Sequence, residues 1–268
     1  MPSPQVMLKA ITKLIDEGFP ADIARRVITS VDDASLERVA SGQLPVDEMS
    51  RMARAQDKGM DLGTSWYHTG FNPEINKIDT GYYPYTTQER PMFFSDDPVV
   101  SATYDASSDP QEFLLRTGLL DKVDAEGKAW NQLRGMEMRS PSGEIVNIPD
   151  RPSGWRGTDD YAEASKRYGS GEGVLFNNLL DLGGNINNAK RVAKQVDPNA
   201  NLKDMFTDLE SRKGGKIAAL NNKDNIKSKW ALFDPEYTGS NVFGGAAGLG
   251  VLGEVMRQLE EKKNRGMD

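Results

Sequence analysis

The chain predicts an α+β fold, a helical module followed by a mixed domain, and three observations carry that prediction. Residues 1–60 repeat apolar side chains at helical spacing. From Trp66 onward the pattern changes to short apolar runs separated by Gly, Pro, Asn and Asp, the signature of short strands and turns. These runs follow one another as strand, helix, strands, helices, strands, an order that belongs to the α+β class.

In the helical module, Val6, Met7, Ala10, Ile11, Leu14 and Ile15 form one stripe over residues 5–17, which Gly18 ends and Pro20 restarts. Pro20 to Val31 predicts a second helix through Ile23, Val27 and Ile28. Asp33 is expected to cap a short third containing Leu36, Val39 and Ala40. Pro45 opens a fourth, through Met49, Met52 and Ala53 to a stop near Gly59. The module reads as a packing or assembly arm.

The mixed domain is expected over residues 61–240. Ser65 to His68 and Pro91 to Phe94 read as strands, and Asp96-Asp97-Pro98 as the cap of a helix from Val99 to Tyr104. Residues 105–172 are poor in apolar runs and read as an elaborated insertion. It has helices near Gln111 to Arg116 and Lys128 to Leu133, a hairpin of Met136 to Arg139 with Glu144 to Ile148, and a helix capped by Asp159 and ending at Tyr168. Gly173 to Asp181 is a buried strand followed by a turn. Helices at Asn187 to Val196 and Leu202 to Arg212, a strand at Lys216 to Leu220 and extended chain from Asn225 to Pro235 complete the domain. Residues 241–268 hold an apolar, Gly-rich stretch, Val242 to Leu252, and a charged helix, Glu254 to Lys263, which read as a docking tail or, alternatively, a membrane-active or partner-binding segment.

Composition removes whole classes of function. With 268 residues the chain can bury a core, and its formal charge of −7 disfavours a general nucleic-acid or anionic-membrane binder, which needs a basic face to release counterions. No cysteine and one histidine leave no thiolate zinc site, no cysteine nucleophile and no His-rich metal centre; an all-carboxylate Mg²⁺ or Ca²⁺ site stays open, though no metal is expected. The N-terminus lacks a signal-peptide pattern, and no run approaches the ~18 apolar residues of a spanning helix. The expected location is cytoplasmic or within a particle.

That single histidine, His68, stands in Ser65-Trp66-Tyr67-His68-Thr69-Gly70, about 25 residues before Met92-Phe93-Phe94-Ser95-Asp96-Asp97-Pro98 and Tyr104. A histidine ending an aromatic strand and followed by a small residue and a glycine leaves backbone groups open to grip a flat ligand. Tyr82, Tyr83 and Tyr85 lie between the two stretches and could form a lid.

These two motifs, then Gly173 to Asp181, then Asn225-Ile226-Lys227-Ser228 with Phe233-Asp234-Pro235, occur in an order that resembles the ADP-ribosyltransferase-like domains of phage and mobile-element polyvalent proteins. The resemblance covers roughly residues 60–240 and extends to the wider histidine-tyrosine-glutamate class, the diphtheria-toxin and PARP-like transferases. It implies a split, strongly curved β core with NAD⁺, the substrate, lying in its cleft. By that resemblance His68 fixes a ribose hydroxyl, Thr69 or Gly70 holds the nicotinamide amide through the backbone, and Tyr104 stacks on the nicotinamide. Tyr83, Tyr85 and Phe94 count among the ligand-binding residues. Asn225 stands in the third motif, where the family carries glutamate or glutamine, and Thr69 stands where it usually has glycine. Asparagine is one methylene shorter than glutamine and lacks the charge of glutamate, a loss worth a factor of about 100 to 1000 in rate at such a position.

The resemblance thus implies transfer of ADP-ribose to a host protein or nucleic acid, in the host cytoplasm or from a phage virion. The alternative is a non-catalytic virion or assembly protein that keeps the fold as a structural or nucleotide-binding scaffold. Its partners would be other particle proteins or further copies of itself.

Overall fold

A computed structural model describes residues 2–70, 91–106, 108–148, 157–202, 215–237 and 243. The chain divides into two compact units, one drawn from Met1–Gly59 and Lys227–Asp268, the other from Met60–Pro73 and Asp79–Ile226.

In the first unit, α1 (Pro4–Asp16) starts where the Ser3 hydroxyl accepts the Val6 N–H, and it buries Met7, Ala10, Ile11 and Leu14 of the predicted stripe, whose Val6 is half-buried and Ile15 exposed. Next come α2 (Ala21–Ser30), α3 (Asp33–Ser41) and α4 (Glu48–Asp57). Two caps differ from expectation. Asp32, not Asp33, caps α3 by accepting the Ser35 N–H at 2.6 Å, and Asp47, not Pro45, sets the start of α4 by accepting the Ser50 N–H at 2.9 Å. In both places a carboxylate satisfies an otherwise orphaned first-turn donor, which fixed proline geometry alone cannot do.

Residues 227–237 lie across these helices. Arg51 is buried against the rings of Phe19 and Trp230, its guanidinium carbon 4.7 and 5.5 Å from the two centroids, and donates to the carbonyls of Val46 and Lys229. Burial lowers its pKa to about 10, so it remains a cation at neutral pH. Asp234 accepts from Ser35 and Arg38, and Arg54 donates to the Leu232 carbonyl.

The second unit is mixed α+β. Its strands are β1 (Trp66–His68), β2 (Met92–Ser95), β3 (Gln111–Leu115), β4 (Asp121–Asp124), β5 (Met138–Arg139), β6 (Gly173–Leu179), β7 (Gly215–Leu220) and β8 (Ile226–Ser228), of which Ile226 is the unit's last residue. They form one sheet in the order β5-β4-β6-β7-β2-β1-β3-β8. The sheet is mostly antiparallel, with β4 and β6 parallel. The helices are α5 (Pro98–Ala102), α6 (Thr158–Tyr168) and α7 (Ile186–Val196). Val123, Met138, Phe176 and Ile217 of the sheet pack with Tyr161 of α6, and Val99 and Ala102 of α5 pack with Ala189, Val192 and Ala193 of α7.

The sequence misreads several elements here. Gln111 to Arg116, expected as a helix, is β3, because pairing with β1 in the register Trp66 to Phe113 outweighs the helical propensity of Glu and Leu. Lys128 to Leu133, also expected as a helix, is a chain of turns after Gly127 (φ +79°), tied to the sheet by an Ala129–Leu180 bridge. The expected hairpin shrinks to β5 and a single Arg139–Ile145 bridge. Gly157, not Asp159, is the N-cap of α6, and Asp160 accepts its N–H. Residues 105–172 supply β3, β4, β5 and α6 to this one sheet and its cover. The expected Leu202–Arg212 helix, apart from its first residue, and the 241–268 tail, apart from Phe243, lie outside the described residues.

Candidate functional site around His68 and Tyr104

β1 lies between β2 and β3, so the histidine at its end is flanked by backbone on both sides. His68 Nδ1 is 2.8 Å from the Phe93 carbonyl oxygen of β2. A carbonyl only accepts, so Nδ1 carries the proton and, in the neutral ring, Nε2 is an acceptor. The ring packs at 5.3 Å from Phe94 and 6.5 Å from Phe113, which themselves meet edge to face. Burial lowers the His68 pKa below its ordinary 6.5, opposed by the Phe93 bond and by the charge of Asp105. The imidazole is therefore neutral at physiological pH.

Gly70 packs directly beside the acceptor nitrogen, with no side chain between them. A Cβ on that residue would stand 2.6 Å from His68 Nε2. The requirement is space, not backbone conformation. Between them, the Thr69 hydroxyl is buried and shares a 2.7 Å hydrogen bond with Ser101 of α5, and the Ser108 hydroxyl donates to the Gly70 carbonyl. The 103–109 loop thus runs beside residues 69 and 70.

Three features fix that loop. Asp97 caps α5 by accepting the Val99 N–H at 2.8 Å, and Pro98 sits in the first turn where its missing N–H costs nothing. Asn188 of α7 donates to the carbonyls of Ala102, Asp105 and Ser108. Gly183 donates its N–H to the Thr103 hydroxyl, and Asn185 donates to the Thr103 carbonyl at 2.9 Å. Tyr104, just past the end of α5, is 49% exposed, yet its hydroxyl donates to Asp181, a carboxylate only 8% exposed. Burial raises the pKa of both groups above their ordinary values, further for Tyr104 through the Asp181 charge and for Asp181 through Asp159.

Of the residues singled out in the sequence, His68, Thr69, Gly70 and Tyr104 lie on adjoining segments. Phe94 does not reach a ligand surface: it is 1% exposed and supports the histidine from behind. Asn225 stands apart. It is also 1% exposed, its amide donates to Glu172 at 2.5 Å, and its carbonyl accepts the Arg116 N–H. His68 pairs with Gln111 at one end of β3, whereas Arg116 follows its other end, Leu115, about 14 Å away at the rise of extended chain. Tyr83 and Tyr85 lie outside the described residues.

Asp181, Asp105 and Phe113 join the site without having been singled out. Asp181 reads in sequence only as the turn after a strand, and no spacing rule links it to a tyrosine 77 positions earlier. Among the described residues, no group of three or more His, Asp or Glu side chains is placed to hold a metal ion. No described helix is long and apolar enough to cross a membrane.

The pKa of His68 has a measurable consequence. Between the ordinary value of 6.5 and its lower folded value, the unfolded chain binds a proton that the folded chain does not. Stability is therefore greatest above pH 6.5 and declines as pH falls through that window. Urea unfolding of wild type and His68→Gln at closely spaced pH values should show a steeper decline in wild type. Parallel curves would contradict a buried, neutral imidazole.

Comparison with family models, with curated proteins and with solved structures returned no match.

Proposed function

We propose that this chain binds NAD⁺ at the His68–Tyr104 site and acts as a phage-type ADP-ribosyltransferase, expelling nicotinamide and passing ADP-ribose to a host macromolecule. The observation that carries the reading is the occurrence, on adjoining segments, of a neutral imidazole whose acceptor Nε2 has only a glycine beside it and a half-exposed tyrosine ring anchored through its hydroxyl. Nε2 would accept from a ribose hydroxyl, and the Tyr104 ring would stack on the flat nicotinamide cation. Loss of nicotinamide leaves oxocarbenium character on the ribose, which a nearby negative charge stabilises. Asp105, whose charge reaches His68, is the carboxylate this loop offers for that task.

A second reading is a nucleotide-binding scaffold without turnover, serving in a virion or its assembly. The placement of Asn225 favours it, because the residue standing in the third motif is buried against Glu172 and Arg116 and supplies no charge to the ribose.

One experiment separates the two: NAD⁺ binding by calorimetry and nicotinamide release by chromatography, on wild type and His68→Ala. Release abolished by the substitution is the expected result for a transferase. Binding without release would establish the scaffold reading, and absence of both would remove NAD⁺ from consideration.

A further inference from the structure

We infer that Asp181 is a positioning residue that holds Tyr104 for, and selects, a cationic aromatic ligand ring over its neutral form; this inference rests on the NAD⁺ reading above. Tyr104 exposes half its surface while its hydroxyl is tied down, an unusual combination for a surface tyrosine, which ordinarily keeps its polar tip in water.

The anchor is built from a distant part of the chain. Beyond β6, Leu180 bridges to Ala129 and exchanges backbone hydrogen bonds with Lys128 and Trp130, which carries Asp181 off the strand and towards Thr103. There the chain is held at the closest possible range. A Cβ on Gly183 would stand 2.4 Å from the Thr103 carbonyl oxygen, and the Gly183 and Asn185 N–H groups both donate to Thr103. Residues 181–185 therefore clamp the two residues that end the α5 segment, and Asp181 accepts the hydrogen bond of the phenol within that clamp.

Two effects follow for a ligand. The tyrosine ring loses its swing about Cα–Cβ, so stacking on it demands little further ordering. A carboxylate hydrogen-bonded to the phenol also raises the electron density of the ring and strengthens its attraction for a cation. Oxidised nicotinamide is a cation and the dihydronicotinamide of NADH is neutral, so the Tyr104–Asp181 pair favours NAD⁺.

The test combines NMR of the full chain carrying ¹³Cζ-labelled tyrosine with calorimetry of NAD⁺ and NADH. Tyr104→Phe assigns the Tyr104 resonance. That resonance should stay fixed through the range where ordinary tyrosines ionise, near pH 10, and should move in Asp181→Asn. Wild type should bind NAD⁺ about tenfold more tightly than NADH, with the ratio falling towards one in Asp181→Asn and in Tyr104→Phe, which reaches the same bond from the other side. A Tyr104 signal indifferent to Asp181→Asn, or an unchanged nucleotide ratio, would overturn the inference. Should wild type bind neither nucleotide, the selection is overturned together with the NAD⁺ reading, and an Asp181-dependent Tyr104 signal would show that the anchor itself was correctly assigned.

Discussion

Replacing Gly173 with alanine is expected to cost about 3–5 kcal/mol, the sum of a strained backbone and an overpacked strand pair. Gly173 opens β6 opposite Leu220 of β7, with φ +136°, a region that residues with a Cβ rarely enter. The added Cβ would stand 2.1 Å from the Ala219 carbonyl oxygen and 2.9 Å from the Leu220 Cα. Both obstacles are main chain in the middle of the sheet, so neither can swing aside as a side chain would. Against a total stability of 5–15 kcal/mol for an ordinary domain, the loss is a large share. Urea unfolding followed by circular dichroism measures it, with Gly127→Ala as control. Gly127 also has positive φ, but nothing stands within 4 Å of its added Cβ, so that change should cost about 1–2 kcal/mol. Equal losses in the two variants would mean that β6 and β7 do not approach as described.

The same strand shows what the sequence could and could not reveal. Gly173 to Asp181 was legible as a buried strand because Val174, Leu175 and Phe176 form an apolar run with a glycine before it and a turn after it. α1 was legible from its stripe, since a helix that buries one face must repeat near every third or fourth residue. β3 was not, because Gln111-Glu112-Phe113-Leu114-Leu115 carries helix-forming residues and becomes a strand only through pairing with β1, a partner more than 40 positions earlier. Site residues divide along the same line. His68, Thr69 and Gly70 are neighbours in sequence, so their pattern could be read directly. Asp181 reaches Tyr104 only through the long-range docking of Gly183 on Thr103, and Asn225 is removed from His68 because the sheet holds it against Arg116, past the opposite end of β3. Local motifs were therefore readable where a single turn or strand end assembles the group, and unreadable where the sheet does the assembling.

Gly70→Ala is expected to dismantle the site without unfolding the chain, and it separates the presence of the histidine from its position. The new Cβ would meet His68 Nε2 at 2.6 Å and Cδ2 at 3.0 Å. The ring cannot retreat freely, because its other nitrogen is bound to the Phe93 carbonyl and its face lies against Phe94. Something must yield, and rotation of the imidazole is easier than displacement of strand backbone. Loss of the Nδ1 hydrogen bond costs about 1 kcal/mol, well short of unfolding. The consequence for ligand is larger. Nε2 would be covered, so NAD⁺ affinity should fall tenfold or more, roughly the value of one buried hydrogen bond to a ribose hydroxyl together with its lost geometry. Because the chain has one histidine, ¹⁵N spectra report on this ring alone. Wild type should show a protonated Nδ1 and a bare Nε2, and Gly70→Ala a mixture of tautomers. Gly118→Ala, outside the site and with nothing within 4 Å of its added Cβ, should leave both the spectrum and the affinity as in wild type. If Gly70→Ala did the same, the acceptor side of the imidazole would not face Gly70, and the acceptor proposed for the ribose would have to be sought elsewhere on the loop that carries Tyr104.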